Sequence, residues 1–247
     1  MAREPKREPK REKDPLVLVH DNATGGVSLW QEKHNQSAAD RDGVSLADYI
    51  HAIYGMLVQA RARRVLMIGC GGGTLASMLH RIGVEVVVAE IDARSLEIAH
   101  IYFSMPRAVE THVGDGLALL LKEKRRFDGI VLDAFDGKGI PPHLVTERFF
   151  RAARARMRDR GAVFLMNLIA KDDDDRVADG IALRMRKTWR NVRIADSVGW
   201  IDRNAVIAAG AVRKLRRPPL LVRPARGAAK LERDLKAMSF RPVRTDA

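Results

Sequence analysis

The chain has one cysteine, Cys70, in 247 residues, so it can form neither an internal disulfide nor a cysteine-based zinc cluster. Its seven histidines contain no pair with metal-ligand spacing, and no metal is expected. No apolar run approaches the ~20 residues of a membrane-spanning helix, and the N-terminus lacks the apolar segment of a signal peptide. A soluble, cytoplasmic protein without a membrane partner is the expectation. Internal repetition is confined to one tetrad, Glu4-Pro5-Lys6-Arg7 followed by Glu8-Pro9-Lys10-Arg11. It is proline-broken and has no apolar face, so residues 1–15 read as a disordered, solvated tail.

The formal net charge of +13 is unevenly placed. Residues 211–247 hold eleven Lys/Arg against three acids and residues 1–15 hold six against four, which leaves a surplus of only three for everything between. Nucleic acid is therefore a minor expectation, resting on the basic C-terminal arm alone. The acid run Asp172–Asp175 reads as the first turn of a helix, where carboxylates favour the macrodipole, and the arginines from Arg148 to Arg160 read as a solvated helix face.

What the chain does have is an apolar strand, Val65-Leu66-Met67-Ile68, running straight into Gly69-Cys70-Gly71-Gly72-Gly73. Glycines there let a ligand approach the backbone and the N-terminus of the following helix. Cys70 within that turn reads as small-residue packing. Glu90 closes the next strand, Val86-Val87-Val88-Ala89, where an acid can receive ribose hydroxyls. The spacing of Gly69, Gly71 and Gly73 is G-x-G-x-G, whereas the dinucleotide fingerprint needs its third glycine at Thr74. S-adenosyl nucleotides are favoured over NAD. Asp115 and Asp133 fall at or just past the ends of later strands, Asp115 also in position to cap a helix.

The periodicities predict strand and helix in alternation: a β-hairpin within 16–38, a helix carrying Leu46, Tyr49, Ile50, Ile53, Met56 and Leu57, strand 65–69, helix 74–82, strand 85–90, helix 94–103, strand 109–113, helix 116–122, strand 127–133, helix 146–157, strand 162–167 and helix 174–188. Strands near 192–196 and 205–209 follow, with a helix over 228–238. This is an α/β chain with a mostly parallel, seven-stranded sheet covered on both faces. The domain reading is a tail over 1–15, a short hairpin region over 16–44, a Rossmann-like nucleoside-binding domain over 45–210 and a basic arm over 211–247.

At Gln36-Ser37, Tyr49, the glycine loop, Ala89-Glu90-Ile91-Asp92, His112-Val113-Gly114-Asp115-Gly116, Phe127 to Asp136 and Ile140-Pro141-Pro142-His143-Leu144, the chain resembles the spermidine synthase family. These are aminopropyltransferases on the class I methyltransferase fold, and the shorter spermidine-synthase-like proteins are the nearer match. The resemblance covers residues 27–210 and implies transfer of the aminopropyl group of decarboxylated S-adenosylmethionine to a polyamine or related amine, with release of methylthioadenosine. It implies that Glu90 binds the ribose and Asp115 the adenine amino group, with Gly69, Gly71, Gly73 and Gly116 completing the donor site. It further implies that Asp133 helps to deprotonate the attacking amine and that Asp136, Tyr49 and Gln36 lie on the amine side. A small-molecule amine is the expected partner, and a homodimer is the assembly common in the family.

Two departures stand out. The family's glycine loop carries an aspartate that contacts the amine, and Gly72 stands at that place here. Lys33-His34-Asn35 replaces an apolar strand. A carboxylate near the donor's tail would repel the α-carboxylate of ordinary S-adenosylmethionine, so Gly72 should relax that discrimination. The alternatives are thus an S-adenosylmethionine-dependent methyltransferase on a small acceptor, or a non-catalytic nucleoside-binding protein. Asp133 and Asp136 also read as turn formers before Gly137 and Gly139, Tyr49 also as a packed core residue, and His143 as structural. The strand ending at Asp133 lacks the Pro-Pro-aromatic segment common in base amino-methyltransferases, which argues against methylation of a nucleic-acid base.

Overall fold

A computed structural model describes residues 15–21, 23–31, 34–135 and 139–245. Two sheets are formed. The smaller is antiparallel, in the order β1 (Leu16–Asp21), β2 (Gly26–Gln31), β3 (His34–Ala39). Its first turn is closed by Asp21, which accepts hydrogen bonds from the Ala23 amide at 3.0 Å and the Thr24 hydroxyl at 2.6 Å. Sequence periodicity gave a two-stranded hairpin. The third strand, polar over His34, Asn35, Gln36 and Ser37, carries no apolar alternation to reveal it. The β2–β3 register shifts between Leu29 and Trp30, which pair with Ser37 and Asn35 respectively, so Gln36 is the extra residue of a bulge.

The larger sheet contains β4 (Arg64–Ile68), β5 (Glu85–Glu90), β6 (Glu110–Val113), β7 (Gly129–Leu132), β8 (Val163–Ala170), β9 (Val192–Asp196), β10 (Arg203–Gly210) and β11 (Ser239–Arg241). Their spatial order is β11-β9-β10-β8-β7-β4-β5-β6. From β8 to β6 all pairs are parallel, and β9, β10 and β11 join in antiparallel fashion. This is the α/β class that the alternation predicted, with eight strands where seven were expected. The additional one, β11, is only three residues long, too short to carry a periodic signal.

Each central strand feeds two cores by strict alternation. Val65 and Met67 of β4 with Val86 and Val88 of β5 face α1 (Asp48–Gln59), α2 (Thr74–His80), α3 (Ala93–Tyr102) and α7 (Ala228–Ala237). Leu66, Ile68, Val87 and Ala89 face the other way, against α4 (Gly116–Lys122), α5 (Glu147–Arg156) and α6 (Val177–Met185). Strands apolar on both faces are what a parallel sheet between two helical layers requires. Among the described residues no helix is long and apolar enough to cross a membrane.

One local reading is corrected. Asp172–Asp175 is not the first turn of a helix, since α6 begins at Val177. The run is a loop held by its own carboxylates: Asp172 accepts the amides of Asp174 and Asp175, Asp175 accepts those of Lys171 and Val177, and Asp173 pairs with Arg203 at 2.9 Å. The segment after β10 does carry a helix, α7, and it lies against α1, with β11 adding to the edge of the sheet beside β9.

A buried ionic cluster fixes that edge. The Arg241 guanidinium reaches Asp179 of α6 at 2.8 and 3.0 Å and Asp196 of β9 at 2.8 Å, and Arg203 reaches Asp196 at 2.7 Å. Asp179 and Asp196 are almost wholly buried. Burial pushes both carboxyls up, but the arginine hydrogen bonds outweigh it and hold both below the ordinary aspartate value of 3.8. Removing one arginine leaves buried charge uncompensated. Arg241→Ala is therefore expected to lower unfolding free energy by about 3 kcal/mol, read by urea denaturation. Because the folded pKa values are depressed, the contribution is present above the unfolded aspartate value and is lost as pH falls through the folded values, so the wild-type advantage over the variant should shrink in acid.

Candidate active site

The chain turns to opposite sides of β4: β5 and β6 extend one way, β7 and β8 the other. Ligands of such sheets bind at this switch point, beyond the carboxyl ends of the strands. The register pairs Ile68 with Leu132 and Leu132 with Met166, so the residues that follow, Gly69, Asp133 and Asn167, stand side by side. The Asp133 amide bonds the Ile68 carbonyl at 2.8 Å. Gly69 has φ +94°, and a Cβ there would lie 2.1 Å from the Asp133 carbonyl oxygen. No other residue type fits that position.

Glu90 ends β5 beside the loop. One carboxylate oxygen accepts the Cys70 amide at 2.8 Å and the other the Asp92 amide at 2.9 Å. Each oxygen keeps a lone pair for a further donor such as a ribose hydroxyl. Burial raises the Glu90 pKa above the usual carboxylate range against the pull of those amides. Burial also keeps the Cys70 thiol protonated, with Glu90 adding to the effect.

Asp133 is half-buried. Asn167 Nδ2 donates to one oxygen at 2.8 Å and the Tyr49 hydroxyl to the other at 3.2 Å. Burial raises the Asp133 pKa, and these two hydrogen bonds oppose the rise. Tyr49 itself is held well above the ordinary tyrosine value, first by burial and then by the Asp133 charge, so it serves as a donor. An ionised carboxylate only accepts, which fixes the Asn167 amide with its NH₂ toward Asp133. The Asn167 Oδ1 is buried and has no partner among the described residues.

Asp115 follows β6 and caps α4, accepting the Ala118 amide at 2.8 Å on Oδ1, while Oδ2 faces His143 Nε2 at 2.6 Å. Burial pushes the Asp115 carboxyl up, but the Ala118 amide and His143 bring it below the usual value. Gly116 lets α4 start against the end of β4, since a Cβ there would lie 2.3 Å from Ile68 Cγ2. Gly73 begins α2 in the left-handed region, with φ +67°.

The small sheet roofs the loop. Ser37 Oγ accepts the Gly72 amide at 2.9 Å, and the Gln36 carbonyl lies 3.1 Å from where a Gly71 Cβ would be. Gln36 thus meets the loop through its backbone. Beneath Gly72 sits Phe103, fully buried at the end of α3, with its ring 2.7 Å from a hypothetical Gly72 Cβ. A side chain at residue 72 is blocked by that ring.

Gln36, Tyr49, Gly69, Gly71, Gly73, Glu90, Asp115, Gly116 and Asp133 therefore gather at one end of the sheet. Asp136 lies outside the described residues. The sequence patterns alone do not mark Asn167, His143 or Phe103 as site residues. Asn167 sits inside an apolar strand and could have been flagged as its only polar residue.

Residues 65–161 match the model of a family described as a methyltransferase domain. A polyamine aminopropyltransferase from Thermococcus onnurineus (strain NA1) is 38% identical over 154 residues, which cover 59% of this chain and 50% of that protein. An eEF1A lysine and N-terminal methyltransferase from Xenopus laevis is 30% identical over 136 residues, covering 50% of this chain and 20% of that one. The chain spans about half the length of the curated aminopropyltransferases from the two Thermococcus species that it matches. The crystal structure of a probable spermidine synthase from Corynebacterium glutamicum ATCC 13032 superposes with a TM-score of 0.75 at 17% identity, covering 92% of this chain and 87% of that one. The similarity read from the motifs is thus present in the sequence matches to polyamine aminopropyltransferases, and the fold is that of a methyltransferase-like α/β domain with a small antiparallel sheet before it.

The packing at residue 72 gives a direct test. Gly72→Ala is expected to destabilise the protein by about 1–3 kcal/mol through overpacking against Phe103. Adding Phe103→Leu in the same chain should recover part of that loss, both read by chemical denaturation.

Proposed function

We propose that the chain is an aminopropyltransferase of the spermidine-synthase kind, moving the aminopropyl group of decarboxylated S-adenosylmethionine to a polyamine or related amine and releasing methylthioadenosine. The observation that carries this reading is the Asp133 carboxylate, held between Asn167 and Tyr49 beside the glycine loop. The donor, as co-substrate, supplies a carbon made electrophilic by the adjoining sulfonium. In this reading Glu90 receives the ribose hydroxyls on its remaining lone pairs. Asp115 receives the adenine amino group on the oxygen it now shares with His143, and Gly69, Gly71 and Gly73 let the nucleoside lie close to the backbone.

The acceptor is an amine with a pKa of ~10 and is mostly protonated at neutral pH. Its nitrogen cannot attack until the proton leaves, and in this reading Asp133 takes it. The nitrogen lone pair then forms the new C–N bond as the C–S bond breaks, its electron pair stays on sulfur as a neutral thioether, and the proton passes from Asp133 to solvent. Tyr49 and Asn167 keep the carboxylate in one orientation, so alignment of nucleophile, carbon and sulfur supplies much of the remaining rate gain. The raised pKa of Asp133 makes it a better base than an exposed aspartate.

A second reading follows from Gly72. With Phe103 filling the space beneath the loop, no carboxylate can stand there to repel the α-carboxylate of ordinary S-adenosylmethionine, and the same site would then serve methyl transfer. A product assay by mass spectrometry with both donors and a panel of amines separates the two. Methylthioadenosine with an aminopropylated amine supports the first; S-adenosylhomocysteine with a methylated product supports the second; neither product would leave a nucleoside-binding protein.

Under the first reading, Asp133→Asn should lower kcat by about 10²–10⁴-fold with little change in melting temperature. Activity should fall as pH drops through the Asp133 pKa, because the base must be unprotonated. Tyr49→Phe removes a hydrogen bond that lowers that pKa, so the acid limb of the pH–rate profile should move to higher pH.

A further inference from the structure

The groups described above gather at one end of the large sheet. At the other end, about 15 Å away along β8 at ~3.3 Å per residue, lies a cleft of about 330 Å³. It is bounded by the C-terminal part of α5, the connection from α6 to β9, and the turns at the start of β8 and the end of β10.

Its lining is rich in donors, exposed or half-buried, that make no bond to the described residues. Arg154 and Arg190 line it, and among the described residues neither guanidinium has an ion-pair or hydrogen-bond partner; nor do the side chains of Thr188 and Asn191. Trp189 completes this wall. It is 3% exposed, stacked on Phe164 at 5.1 Å between ring centroids, and its indole Nε1 is buried with no acceptor among the described residues. Two backbone amides at the cleft are already engaged: that of Gly210 donates to the Asn191 carbonyl and that of Ala211 to the Ala162 carbonyl. The third arginine, Arg158, is paired with Asp128 at 3.2 Å. One acid lines the cleft, Asp159, and it is largely exposed and paired with Arg126 at 3.1 Å.

Two guanidiniums with no ion-pair partner among the described residues, a hydroxyl and an amide favour a ligand that is doubly negative and rich in acceptors. A phosphoryl group carries about −1.5 to −2 charges near neutral pH and presents three strong acceptor oxygens, and paired oxygens match the guanidinium fork. A single carboxylate would leave one arginine uncompensated, and a cation would be repelled. We propose that this cleft is a binding site for a phosphoryl dianion, either free phosphate or the phosphate monoester of a small molecule, separate from the candidate active site.

Three tryptophans are present, Trp30, Trp189 and Trp200, so a Trp30→Phe/Trp200→Phe background leaves Trp189 as the sole indole reporter. Inorganic phosphate and phenyl phosphate are titrated at constant ionic strength, with chloride as the control. The expected result is a saturable change in Trp189 emission. Arg154→Ala and Arg190→Ala should each weaken it about tenfold, or ~1.4 kcal/mol, and Arg154→Lys should recover part of the loss. Tighter binding of phenyl phosphate would identify an ester as the natural ligand; tighter binding of inorganic phosphate would identify the free ion. Absence of a saturable change in protein whose circular dichroism is native, an equal response to chloride, or unaltered binding in both alanine variants would overturn the proposal.

Discussion

The carboxyl ends of β4 and β7 can lie side by side only because residue 69 has no side chain. A Cβ at that point would overlap the backbone of Asp133, and separating the strands enough to accommodate it would break the Asp133 to Ile68 hydrogen bond. Everything at the site follows from this approach. With the strands in register, Asp133 falls between the glycine loop and Asn167, Glu90 reaches the loop amide from the neighbouring strand, and α1 brings Tyr49 over the top. The acid that would perform the chemistry and the turn that would cradle the nucleoside are parts of one backbone contact.

Much of this was legible in the sequence because it rests on local rules. Apolar strands ending in glycines or acids announce their own carboxyl ends, and Gly69, Glu90, Asp115 and Asp133 were found on that basis. What stayed hidden depends on neighbours in space. Asn167 interrupts an apolar strand, and only the β7–β8 register makes it the partner of Asp133. His143 became relevant only when the turn over Pro142–Val145 brought it to Asp115. The acid run at Asp172–Asp175 resembles a helix start because local carboxylates bond nearby amides in both settings, and β11 is too short to have a period.

The two faces of residue 72 show how one position can join a binding loop to a core. Its amide is held from above by Ser37 and its Cα is met from below by Phe103. The absence of a side chain there is therefore a packing requirement as well as a difference in charge. An acid could be accommodated only together with a smaller residue at 103, so the two positions must change as a pair.

The bulge in the small sheet has its own consequence. Gln36 is the residue that β3 holds in excess of β2, and it is its carbonyl that lies over Gly71. In most proteins a peripheral hairpin is where chain length drifts freely. Here, a deletion of Gln36 would leave Leu29 opposite Ser37 in an unbroken ladder, but it would remove the carbonyl that lies over Gly71. The polar strand is thus free in composition over much of its length but fixed in its number of residues, a constraint of counting more than of chemistry.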